Sequence, residues 1–250
     1  MLSARTLLVR GMLVGAVAGV AAFLFAYLFG EGAINDAIAF EEAHAAPLPH
    51  GEVAPEVVSR TVQSTLGLVT ASVIYGIALG GVFAIAVAVA LGRLGRLGDR
   101  TTAGLVALAG FVGVALVPFL KYPANPPATG NPDTLAQRTN LYFLMLVIGV
   151  AAVAGVAVGA RTLQPRLGTW NAITVAALAA MVVVGAAIAV LPSINEVPDG
   201  FSPTLLWRFR LASLGTQAVL WTTLGLLFGY LCERGQRRHA VSDAAPPIPA

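Results

Sequence analysis

Apolar residues in this chain neither alternate nor recur as a stripe; they run on unbroken. Six runs, at 7–29, 63–91, 101–120, 141–160, 170–191 and 211–231, are built largely of Ala, Val, Leu, Ile, Gly and Phe. A helix rises ~1.5 Å per residue and needs about 20 apolar residues to cross a hydrocarbon layer ~30 Å thick. Each run meets that length. The second exceeds it, and is expected to tilt or to extend past the hydrocarbon. Barrel strands would be ~9–11 residues long and alternate in polarity. The pattern therefore predicts an all-α polytopic membrane helical bundle of six transmembrane helices arranged as three hairpins. The first run has Arg5 and Arg10 ahead of or at its start, and Ala43-His44-Ala45 resembles a cleavage site. The run is longer than the ~7–15 apolar residues of a signal peptide and the site lies far beyond its end, so the run is expected to stay as a span.

The polar breaks carry a second pattern. The longest in the second half is VPFLKYPANPPATGNPDTLAQRTN, at 117–140, with prolines at 118, 123, 126, 127 and 132. Proline fixes the backbone and ends helices. Asn131-Pro132-Asp133 reads as a helix start, with an Asn cap, Pro in the first turn and an acid near the positive helix end. This is a stiff loop between helices. Two other breaks enter the next helix in the same way, through Pro55 before Arg60 and Pro203 before Arg208; here the pair is Pro132 and Arg138.

Charge orients the runs. Arg5, Arg10, Arg93, Arg96, Arg100, Arg161, Arg166, Arg234, Arg237 and Arg238 fall on one side; Arg60, Lys121, Arg138, Arg208 and Arg210 fall on the other. Basic residues favour the cytoplasm, so ten against five predicts both termini inside. Of the acids, Asp99, Glu233 and Asp243 lie inside and the other nine outside. Residues 1–233 read as a single transmembrane domain and 234–250 as a Pro/Ala-rich, disordered cytoplasmic tail.

Composition changes the picture only by exclusion. The chain is 57% hydrophobic and 11% charged, with 27 glycines and a single cysteine, Cys232. A globular domain carries about 25% charged residues, glycine allows close helix packing in lipid, and one cysteine cannot form an internal disulfide. No Asp, Glu, His or Lys lies within the six runs, and the one arginine, Arg10, sits in the first turn of the first. Buried ionisable residues usually mark ion routes, so their scarcity counts against a self-sufficient pump. With no histidine in the runs, haem ligation between helices is also excluded. No hydrolase, metalloprotease or P-loop motif is present, which points away from an enzyme; no cofactor or nucleic-acid partner is expected.

Candidate chemistry sits in the outer loops. Glu41, Glu42 and His44, with His50 a short loop away, offer carboxylate and imidazole ligands suited to a borderline divalent ion; a solvated acidic loop is the alternative. Glu31 and Asp36 follow the first run, Asp133 opens the fourth, and Glu196 and Asp199 follow the fifth. With Arg60, Lys121, Arg138, Arg208 and Arg210 they outline a vestibule. Arg60, Arg138 and Arg208 lie five or six positions after their prolines, about 8–9 Å below each helix start. They are expected to pair with Glu31, Asp36, Glu196 or Asp199; independent contacts to lipid phosphate are the alternative. Gln63, Ser64, Thr65, Thr70, Ser72, Tyr75, Ser213, Gln217, Thr222 and Thr223 are candidates for a hydrated path or for hydrogen bonds between helices.

These residues resemble a known family. FGEGAINDAIAFEE, EVVSRTVQSTLGL with YGIALGGVFA, PFLKYPANPPATGNPDTLAQRTNLYF and LPSINEVPDGF with LLWRFRLASLGTQAVLW are similar to CbtA, the cobalt transporter subunit family, over nearly the whole chain to Glu233. The resemblance implies transport of cobalt(II), or nickel(II), across the cell (inner/plasma) membrane in the service of cobalamin biosynthesis. It also implies a small one-span, His-rich membrane partner of CbtB type. The family pattern has five spans, against six runs here. A membrane scaffold for a metal-binding partner, without transport, is the other reading.

Overall fold

The computed structural model describes residues 4–44, 58–95 and 97–243, with side chains to 235. Among them every regular element is helical. We number six: α1 Ala4–Phe29, α2 Glu31–His44, α3 Arg60–Ala90, α4 Asp99–Lys121, α5 Pro132–Val190 and α6 Pro203–Asp243. All but α2 are long and apolar enough to cross a membrane, giving five candidate spans where the sequence has six runs. Leu13, Leu28, Leu66, Val82, Val182 and many other large apolar side chains on these helices are exposed. That surface suits hydrocarbon, since soluble proteins rarely expose contiguous apolar patches beyond a few hundred Å².

The difference between five and six lies in α5, which holds both the run 141–160 and the run 170–191. As a straight helix its 59 residues would be about 90 Å long, three times the hydrocarbon thickness. Gly168 breaks it, with φ 75° and ψ 166° inside an otherwise helical stretch. Only glycine adopts that backbone readily. The chain doubles back there: a methyl on Gly159 would stand 3.3 Å from the Ala176 methyl, and Glu196, beyond one end of α5, accepts a hydrogen bond from the backbone of Asn131, before the other. Pro165 lies one turn ahead of the break and Gln164 Nε2 donates to Thr169 Oγ1 across it at 3.0 Å.

The chain forms two compact units. The first combines Met1–Phe23, Val69–Ala109 and Ala218–Ala250. Its core stacks Phe83 edge-on against Phe228 and Trp221, at 5.4 and 6.4 Å between ring centres. α1 and α3 touch backbone to backbone: a methyl on Gly76 would meet the Gly19 Cα at 2.9 Å, and one on Gly80 the Gly15 Cα at 2.8 Å. Only glycines allow that approach, which exposes many atoms to dispersion contact. Arg10 Nη1 donates to the Leu231 carbonyl at 3.0 Å, and Arg100 lies 3.9 Å from Glu233. α6 continues to Asp243, so the helix extends ten residues into the stretch expected to be a disordered tail.

The second unit combines Leu24–Leu68 and Gly110–Gln217. Part of the first polar break is not loop but helix α2. Ala33, Ala37 and Phe40, at helical spacing, give it an apolar side, packed on Phe201 and Leu205. π-helical turns interrupt α3 at Gln63–Gly67 and α4 at Phe111–Leu116.

Candidate functional site

The second unit gathers most of the polar loops, and α2 positions Glu31 and Asp36 among its charged residues. With Ala33, Ala37 and Phe40 turned toward Phe201 and Leu205, Glu31 and Asn35, one turn apart, are left to face the start of α3. Arg60 bridges them: its Nη2 donates to Glu31, and its Nε to Asn35 Oδ1 at 3.1 Å. Glu31 is 8% exposed, one of the two buried polar or charged residues among those described. A buried carboxylate needs such a partner. Arg208 lies 3.6 Å from Asp36, but both side chains are 58% exposed, and a pair so open to water contributes little.

Glu196 is the most connected acid. It accepts from the Asn131 backbone N–H at 2.7 Å and from the Thr134 hydroxyl, and its Oε2 lies 3.4 Å from Arg138 Nε. Arg138 Nη2 donates to the Asn131 carbonyl at 3.2 Å. The Thr134 and Asn131 hydrogen bonds, with the Arg138 charge, hold the Glu196 carboxyl below the usual carboxylate range despite partial desolvation. Asn131 caps the helix start as its sequence predicts, its Oδ1 accepting from the Asp133 N–H at 3.0 Å. At the other end of the same loop the Tyr122 hydroxyl donates to the Pro192 carbonyl and Lys121 Nζ to Ser193 Oγ, both at 2.9 Å. Desolvation pushes the Tyr122 phenol up. The two polar loops around 122–131 and 191–202 are thus clipped together at both ends.

Arg60, Arg138 and Arg208 therefore each meet a carboxylate: Glu31, Glu196 and Asp36. Asp199 and Asp133 have no ion pair among the described residues, and Lys121 and Arg210 have hydroxyl and amide partners instead of carboxylates. Those uncharged partners, Asn35, Asn125, Thr134 and Ser193, were not singled out from sequence. Nothing local marks them, because Asn125 and Arg210 are 85 positions apart and Lys121 and Ser193 are 72.

Glu41, Glu42 and His44 occupy the exposed end of α2, and His50 lies outside the described residues. His44 stacks on Phe40 at 4.1 Å, and its Nδ1–H donates to the Phe40 carbonyl at 2.8 Å. In the neutral ring this hydrogen bond selects the tautomer with its lone pair on Nε2, the usual arrangement of a metal-binding imidazole. Among the described residues no three His, Cys, Asp or Glu side chains come together closely enough to hold a metal ion. Several hydroxyls considered for a path turn back on their own helix: Ser64 and Thr65 donate to the Thr61 carbonyl and Ser213 to the Phe209 carbonyl.

Long apolar helices and a polar loop end define a multi-pass helical membrane protein. Within that class the sequence matches, over residues 4–233, the family described as "Probable cobalt transporter subunit (CbtA)". The chain belongs to the CbtA family, a family of transporter subunits. No curated protein and no solved structure matches it.

Proposed function

We propose that this chain is the permease subunit through which cobalt(II) enters the cell, with nickel(II) as a second cargo, in the service of cobalamin biosynthesis. The observation that carries this reading is the family match across nearly the whole chain. In this reading the six apolar runs cross the membrane six times with both termini in the cytoplasm, and the loops of the second unit face outward. Glu41, Glu42, Asp133 and Asp199, free of described ion pairs, supply negative potential that concentrates a dication at the entrance. Glu41, Glu42 and His44, with His50 or ligands from a partner, form the capture site. Glu31, Asp36 and Glu196 instead lock the loops through their arginines. The partner in this reading is a small one-span membrane protein with a His-rich end.

One observation favours a second reading, in which the chain is a membrane scaffold for that partner and moves no metal: no three-ligand group is found among the described residues. Uptake separates the two. Cells lacking other cobalt import should accumulate labelled cobalt only when this chain is present. Unchanged accumulation after deletion of this chain alone, with the partner still made, rules out the permease.

A further inference from the structure

Three of the guanidinium groups in the loops of the second unit are answered by carboxylates. Arg210 is not. Its recorded partner is the uncharged Asn125, whose Oδ1 accepts from Nη2 at 2.9 Å. Its Nε–H is cut off from solvent and donates to nothing among the described residues. A guanidinium stays charged at every accessible pH and presents its donors as a flat fork that matches an oxyanion. Half-buried, such a charge is costly unless an anion answers it.

The unit does not lack acids. Glu41, Glu42, Asp133 and Asp199 carry no ion pair among the described residues, yet none lies within 4.0 Å of Arg210. Asp36 is taken by Arg208, two positions away and so on a nearly opposite side of the helix. The fold leaves this position open. Asn125 adds to it. With Oδ1 turned to Arg210, its amide NH2 remains a donor, and Pro123, Pro126 and Pro127 stiffen the loop that carries it. Donors from two elements thus lie side by side at the Arg210–Asn125 hydrogen bond, and Arg210 remains partly exposed.

We propose that Arg210 and Asn125 form a binding site for a small oxyanion, a carboxylate or phosphate group. Arg210 lies seven residues past Pro203, about 10 Å along the helix, within reach both of dissolved anions and of a lipid headgroup. The site does not depend on the metal reading, and is tested without metal.

The full chain, in nanodiscs of neutral phosphatidylcholine, is titrated with inorganic phosphate and with citrate at constant ionic strength while its unfolding midpoint is followed. R210Q and N125A are measured beside it. Wild type should be stabilised by at least one anion, R210Q should lose the response, and N125A should bind about tenfold more weakly. Nanodiscs containing phosphatidylglycerol identify the source. If they raise the midpoint and cancel the response to phosphate, the anion is a headgroup; if they change nothing and the response persists, it is a dissolved ion. Either result supports the site. Should R210Q not fold, N125A decides, because it keeps the charge. A wild-type midpoint indifferent to phosphate, citrate and anionic lipid alike overturns the proposal, as does a response unchanged in N125A or in folded R210Q.

Discussion

Glu196 concentrates most of what single residues do here. Two donors on one stretch, the Asn131 N–H and the Thr134 hydroxyl, and the charge of Arg138 meet its carboxylate. Glu196→Gln keeps the shape but removes the charge, so its unfolding midpoint should fall by a few degrees and the loop 122–131 should become more accessible to protease. The pH dependence has a definite sign. The native pKa lies below the unfolded value, so this stabilisation is complete above the unfolded value, near 4.3, and is lost as pH falls through the native pKa. Between pH 6 and pH 3 wild type should lose more stability than the Gln variant; parallel curves would show that Glu196 titrates as a free acid. Charged residues of this kind were legible from sequence, because few interrupt an apolar chain. Their neutral partners were not, since an Asn or Thr becomes a partner only when folding brings it there.

At the scale of elements, length and apolarity made the long helices plain, with the polar break between the runs 141–160 and 170–191, but hid helix α2 and the residue at which α5 turns. Helix α2 is too short and too polar to stand out, and its apolar side has meaning only once Phe201 and Leu205 lie against it. The break in α5 rests on one residue. Gly168 is a single glycine among 27, and only its backbone angles mark it as the turning point. Gly168→Ala should destabilise the protein by about 1–3 kcal/mol, the cost of holding a side chain in that conformation; an unchanged denaturation midpoint would mean the turn tolerates other angles. Gly76→Ala tests the α1–α3 contact. Its methyl would press on the Gly19 Cα, and overpacking of this kind costs about 1–3 kcal/mol. An increase in stability would contradict the described packing.

For the whole molecule, the distribution of arginine predicts sidedness that helices alone do not carry. Reporter fusions after Arg96, Arg166 and Arg238 should read cytoplasmic, and fusions at His50 and Gly130 external. A cytoplasmic signal at Gly130 would refute the six-crossing arrangement. The class of molecule was legible from its apolar runs, and the family from the polar loops between them. The transport route was not, because the runs hold almost no ionisable side chains and metal ligands within one chain need not be complete. The most direct measurement is flux in vesicles reconstituted with this chain, the proposed one-span partner, both or neither, loaded with a metal-sensitive dye and exposed to cobalt(II). Cobalt should enter only where this chain is present, and fastest where both are. Tight binding of the partner with no entry of metal into any vesicle would contradict the permease account.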